Sequence, residues 1–310
     1  MSQDIPWLTV YGFGAHIKST QKKLIILNKG VQAEYPLDEV RHLLIVGGHS
    51  LNSTTISHLI RNGTYISFFE PDGTPVGMIR PFGDTYPEEQ INLQQNIPRH
   101  RYVTMIAQGA LRSRLLALHQ LEESQERTLF YQGESQFLHN SLDELEYLIK
   151  LDEIHRLSRL SADMYYEILS RDLPEKWGYR RRSTPPHCDV VNAMLSFGYA
   201  MLIGNGCVSI IGAHLDPDIG VLREGRSALA YDLMEPFKAE MIDAVVCRFA
   251  QVDLGTDDFE MTPTRCMLSD ALVKRLIALF QKTLDREKID KQVDNFSKSL
   301  RKVEEFKVMY

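Results

Sequence analysis

Two carboxylates, Asp232 and Glu235, stand three residues apart in the segment SALAYDLMEPFKAEMID, among Leu229, Leu233, Met234 and Phe237. On a helix that spacing puts both on one face. Two like charges on an otherwise apolar face repel each other unless a cation joins them, so the pair asks for a metal ion, an arginine or nucleic-acid-bound magnesium. Without such a partner the same residues are an ordinary solvated helix edge. Other groups able to join metal chemistry are Asp152, Glu153, His155, His187 and His214. For phosphate, the candidates are Arg99, His100 and Arg101, the run Arg180, Arg181 and Arg182, Arg248, and the alternating lysines and arginines from Lys288 to Lys307. Such runs are also the default covering of a solvated surface.

The elements that must position these residues follow from periodicity. Asp189 to Asp243 holds two apolar helical runs with a Leu-Asp-Pro-Asp-Ile-Gly turn between them, the second run carrying the carboxylate pair. The first ~80 residues read as β by alternation and turn rules. Strands are expected at Val10–Ile17, Leu24–Leu27, Val31–Tyr35, Leu43–Val46, Tyr65–Phe69 and Val76–Ile79, with a hairpin turn at Pro71-Asp72-Gly73. One helix interrupts them, capped by Ser53 or Thr54 and closed by Asn62-Gly63. Pro81 to Pro98, with Gly83, Pro87 and the polar LQQN, reads as a linker. From Arg101 the period becomes helical through Val103, Ile106, Ala110, Leu111, Arg114, Leu115 and Leu118. A second helix is expected from Ser141, with Glu144 at capping-box spacing, through Leu148 and Ile154 toward Leu169. Leu268–Leu284 and the charged tail add further helices. The chain is therefore expected to be α+β: a β domain at 1–80, a linker at 81–100 and an all-α domain at 101–310.

Bulk composition narrows the class. The 310 residues are 44% hydrophobic and 25% charged, enough for a sizeable core. A net charge of −6 argues against coating nucleic acid with the whole surface but leaves room for a local basic track. Cys188, Cys207, Cys247 and Cys266 lack CxxC spacing and read as reduced thiols. No stretch has 18 uninterrupted apolar residues, and the first ten residues lack a basic and apolar leader, so a cytoplasmic protein with no membrane span is expected.

The phrases NAMLSFGYAML, HLDPDIGVL and SALAYDLMEPFKAEMID, in that order, resemble the CRISPR-associated protein 1 family. The resemblance implies a metal-dependent DNA endonuclease and integrase of spacer acquisition, using magnesium or manganese. It also implies an N-terminal β domain used for dimerisation, a homodimer that pairs into a dimer of dimers bridged by CRISPR-associated protein 2, and a double-stranded, branched or protospacer-like DNA ligand. Family members hold the ion with a Glu ahead of a Tyr-aromatic pair, a His closing the Leu-Asp-Pro phrase, and an acid in the Asp-Leu-x-Glu-Pro-Phe phrase. Here the last is present as Glu235, with Asp232 beside it. Anchoring on Tyr165-Tyr166 puts Ser158 at the Glu position, and HLDPDIGVLR puts Arg223 at the His position. His214 stands where the family has glycine.

Losing a carboxylate and an imidazole leaves too few donors to strip water from a hard divalent ion. Arg223 adds a charge that cannot be titrated away, and is expected to pair with Asp232 or Glu235. Glu153 does not replace Ser158 in situ, because five helical positions rotate a side chain by ~140°. His214 is the possible substitute ligand for a rearranged site. Two functions follow: an endonuclease or integrase with migrated ligands, or a non-catalytic DNA-binding or assembly protein that keeps the fold, with Arg180, Arg181, Arg182 and Arg248 on the DNA.

Overall fold

In the computed structural model of the chain, which describes residues 5–83 and 88–310, the N-terminal part forms two four-stranded sheets. The strands are β1 Trp7–Tyr11, β2 His16–Ser19, β3 Lys23–Asn28, β4 Val31–Pro36, β5 His42–Val46, β6 Ser50–Leu51, β7 Tyr65–Phe69 and β8 Pro75–Ile79, with α1 Ser53–Arg61 before β7. One sheet has the order β1-β5-β7-β8 and the other β4-β3-β2-β6. The single strand expected over Val10–Ile17 is two, because Gly12 and Gly14 adopt φ of +97° and +80° and turn the chain from one sheet to the other. All five residues of β5 are buried, since the strand is covered on both faces. Leu43 and Ile45 meet Ile17, Leu24 and Leu59 on the side of the second sheet. Leu44 and Val46 join Trp7 and Phe69 in the large core that continues into the helices. The cap of α1 is Asn52, one residue ahead of the expected pair, whose side chain accepts from the Thr55 N–H at 2.8 Å.

The segment expected as a linker at 81–100 contains a helix, α2 Glu88–Gln95, and Pro87 lies outside the described residues. Two of its glutamines, Gln90 and Gln94, turn inward. Gln90 donates to Ser297, and Gln94 donates to the carbonyls of Asp216 and Ile219 while accepting from the Asp216 N–H. Polarity was misleading here because glutamines can satisfy buried backbone groups that apolar residues cannot.

The remaining helices are α3 Arg99–Gln125, α4 Glu134–Glu144, α5 Leu151–Ser170, α6 Val190–Gly212, α7 Ala228–Met234, α8 Ala244–Val252, α9 Asp270–Thr283 and α10 Arg286–Leu300. The helix expected from Ser141 to Leu169 is therefore broken between α4 and α5, and Ser141 is a buried interior residue of α4. A short hairpin, β9 Phe259–Met261 with β10 Cys266–Leu268, interrupts the expected all-α region.

Helix α6 is long and apolar enough to cross a membrane, but most of its apolar window is buried inside the protein. It is the central pillar. The β7–β8 turn at Asp72-Gly73 sits so close to α6 that a side chain at Gly204 would collide with the Asp72 carbonyl. Five residues further along α6, Ser209 and the Trp7 indole both donate to the Asp290 carboxylate of α10. The β part is thereby fastened to α6 and α10, both of which pack against α7, the helix that carries Asp232.

Candidate functional site

Asp232 lies near the end of α7, and Glu235 opens a tight turn through Phe237, because Pro236 has no N–H to continue the α ladder. Asp232 is fully buried. Its Oδ2 accepts from the backbone N–H groups of Val221 and Leu222 at 2.8 Å and of Arg223 at 3.3 Å. The carboxylate thus ties the α6–α7 loop to α7.

Arg223 straddles the pair. Its Nη1 donates to Asp232 Oδ1 at 2.9 Å and its Nη2 to Glu235 Oε2 at 2.6 Å. Glu235 receives two more cations: Arg114 of α3 donates to Oε1 at 2.5 Å, and Lys238 donates to Oε2 at 2.9 Å. Burial alone would push the Glu235 carboxyl up, but Lys238, Arg223 and Arg114 together hold it well below the usual range. Burial pulls Lys238 down from its ordinary value despite the attraction of Glu235.

One layer deeper, a π-helical turn at Ala239–Asp243 carries Asp243 into the core. Tyr165 donates to its Oδ2 at 3.1 Å, Tyr199 donates to its Oδ1, and the Tyr166 and Tyr199 hydroxyls are 2.8 Å apart. Burial raises the Asp243 carboxyl to about 6 despite these bonds. The Arg114 guanidinium lies 5.7 Å from the Tyr165 ring centroid and Lys238 Nζ 4.8 Å from that of Tyr199, which joins the two layers.

Ser158 lies on the same face of α5 as Tyr165, two turns earlier. Its Oγ is buried and makes no hydrogen bond. His214 is held elsewhere: its ring stacks on His42 at 4.8 Å and meets the edge of Tyr65, in the joint with the β part. His187 sits between the hydroxyls of Ser183 and Ser196. His155 and Asp152 line a shallow surface cavity with Arg156 and Arg159, and Glu153 pairs with Lys150. Among the described residues, no three of His, Cys, Asp or Glu come together where they could hold a metal ion. Each oxygen of Asp232 and Glu235 already accepts a hydrogen bond, so the donor set does not fit magnesium or manganese as it stands.

Of the basic candidates, Arg180, Arg181 and Arg248 are exposed. Arg182 is turned inward, donating to Asn192 and Ser196 of α6. In the tail, Lys288 pairs with Glu240 and Lys298 with Asp294. Arg114, Lys238 and Asp243 had no assigned role in the sequence reading. The visible signal for Arg114 was an arginine within the apolar stripe of its helix, a position that demands a buried partner.

Two sheets of strands are fastened to a helical bundle, with a carboxylate pair below a loop-to-helix turn, the fold shared by the Cas1-type structures compared below. The chain superposes on a casposase bound to integration product with a TM-score of 0.84 at 18% identity, covering 99% of each chain. A Cas1 protein from Thermotoga maritima gives a TM-score of 0.73 at 17% identity, over 96% of this chain and 97% of that one. The family model for CRISPR associated protein Cas1 matches residues 8–282, and the chain belongs to that family. The putative CRISPR-associated endonuclease Cas1 2 of Methanospirillum hungatei is 38% identical over 299 residues, 96% of this chain and 99% of that relative.

Proposed function

We propose that this chain serves CRISPR adaptation as a DNA-binding and assembly subunit of the Cas1 fold, in which an internal cation network has replaced the divalent-ion centre. The observation that carries this reading is Arg223, whose guanidinium spans Asp232 and Glu235 where an ion would have to sit. A permanent cation between two carboxylates removes both the space and the charge that magnesium or manganese requires. Catalysis by in-line attack on a phosphodiester is accordingly impaired, while DNA binding survives because it depends on distributed arginines and lysines. Arg180, Arg181 and Arg248 are the exposed residues assigned to the duplex. The protein works in the cytoplasm as a homodimer built through its β part and meets a Cas2 partner. That assembly is supported by likeness to chains whose solved structures are named as a partial Cas6-RT-Cas1–Cas2 complex and a TtCas1–DNA complex.

The test is cleavage and strand transfer on branched and linear duplexes with magnesium or manganese, beside Glu235→Ala, together with calorimetric metal titration. The expected result is no saturable metal binding and no metal-dependent cleavage, with DNA binding intact. Metal-dependent activity that disappears in Glu235→Ala would overturn the reading in favour of a working enzyme with rearranged ligands.

A further inference from the structure

The last residues of the chain lie in a groove as a peptide ligand would. Beyond α10 the backbone turns at Lys302, whose φ of +57° is one that lysine rarely adopts, and from 305 onward it has neither turn nor helix. Its side chains alternate. Phe306 is buried against Tyr102 of α3 and Phe296 of α10, at ring distances of 5.5 and 5.4 Å, and Val308 occupies the notch left by Gly109 of α3. Glu305 and Lys307 face solvent.

The main chain is held as well. The Lys307 N–H donates to Asn295 Oδ1 at 2.8 Å, and the Met309 N–H to Gln292 Oε1 at 2.9 Å. Two side-chain amides three apart on α10 thus meet backbone amides two apart on the segment, which matches one helix face to one edge of an extended strand. Backbone contacts joined to pockets for alternate side chains are how extended peptides are bound.

The tail leaves this groove incompletely filled. Gln292 is fully buried, and its Nε2 has no hydrogen-bond partner among the described residues. A buried donor without an acceptor is costly, and a ligand that brings one gains that energy. The tail also enters through the turn at Lys302, which leaves a cavity of about 570 Å³ ahead of Phe306, with Leu93, Ile97 and Met105 on its wall. A segment that enters straight sends a further side chain, two residues before the one at the Phe306 position, into that space. A second copy's tail would repeat the same contacts and leave the same donor unmet, so a different sequence suits the groove better.

We propose that the groove between α3 and α10 is a docking site for an extended segment of a partner protein with bulky apolar residues at three alternate positions. Residues 304–310 fill it in cis until that segment displaces them.

The test uses the full chain and two labelled peptides, EEFKVMY, the sequence of 304–310, and LEFKVMY, whose leucine is placed for the cavity. Binding is read by fluorescence anisotropy, with folding of each variant checked by circular dichroism. LEFKVMY is expected to bind about fivefold tighter than EEFKVMY. Phe306→Ser and Val308→Ser loosen the cis competitor, so they are expected to tighten both peptides by about tenfold and threefold. Adding Gln292→Leu to Phe306→Ser removes a main-chain acceptor and should weaken binding about fivefold. Folded Phe306→Ser and Val308→Ser proteins that bind no tighter than the parent overturn the docking site. Equal binding of the two peptides overturns the assignment of the cavity to the third side chain. A parent dimer that Phe306→Ser dissolves, read by light scattering, makes the occupant a second copy's tail and overturns the partner.

Discussion

Glu235 and Asp243 are both carboxylates of the interior, and their surroundings hold them in opposite states. Burial works against the charge of each. Around Glu235 three cations make direct contact, and its carboxyl stays well below the ordinary range. Around Asp243 the direct donors are two tyrosine hydroxyls, and its carboxyl rises to about 6. The difference shows that neutral hydrogen bonds do not offset burial of a carboxylate here, whereas direct ion pairs do. It also locates the feature that separates the two carboxylates: the number of cations in direct contact with Glu235.

The most drastic way to break the contrast is to reverse the charge balance around Glu235. Ser158→Glu with Arg223→His removes the permanent cation and adds a carboxylate at half-buried Ser158, whose Oγ is buried and makes no hydrogen bond. Without Arg223, two cations, Arg114 and Lys238, stand against Asp232 and Glu235, and the family resemblance assigns the new glutamate to the same site. Carboxylates with an imidazole are a hard-ion donor set. A saturable manganese isotherm absent from the parent is expected by calorimetry. An equally flat titration in a folded double variant would show that Arg223 is not what keeps the ion out.

Much of this arrangement was legible before any coordinates. The i,i+3 spacing of Asp232 and Glu235 in an apolar run demanded a cation, and Arg223 was one of the partners considered. The structure differs in detail, because one guanidinium serves both carboxylates where a pair with one was expected. The glutamines of α2 read as linker because polarity does not distinguish exposure from buried satisfaction. The break between α4 and α5 escaped because Leu145, Leu148 and Ile149 continue a plausible stripe across it. Asp243 had no local signal at all. Its role depends on a π turn, and on tyrosines from α5 and α6 that only the tertiary fold assembles.

The next test sharpens the contrast through pH. Asp243 has its folded carboxyl raised from 3.8 to about 6, so the native state holds a proton that the unfolded chain has released. Stability from this group is therefore lost as pH rises from about 4 to 6, and the loss is complete above that window. The amount is about 3 kcal/mol for the cited change. Glu235 acts with the opposite sign and at lower pH: its depressed carboxyl stabilises the fold above about 4.5, and that contribution is lost on acidification through the folded value. In Asp243→Asn the upper window disappears and the lower one remains. Urea denaturation at pH 4.5, 6 and 7.5 should show the variant gaining on the parent by about 2 kcal/mol across that range. A constant difference between the two proteins would mean that Asp243 does not titrate there.

The smallest effect concerns the hydroxyl chain behind Asp243. An ionised carboxylate only accepts, so Tyr165 and Tyr199 each give it their one hydroxyl hydrogen. The Tyr199 oxygen can then only accept at its 2.8 Å contact with Tyr166, which makes Tyr166 the donor. That donation polarises the Tyr199 hydroxyl and strengthens its bond to Asp243. Tyr166→Phe keeps the ring and removes the donor. It should cost about 1 kcal/mol at neutral pH and move the Asp243 midpoint upward by roughly a few tenths of a unit. Infrared titration of the protonated carboxyl band, beside the Asp243→Asn variant to assign it, reads the midpoint directly. A midpoint that falls, or stays where it was, would place Asp243 under the control of Arg114 and Lys238 instead of the tyrosines, and the two carboxylate sites would then be one coupled system.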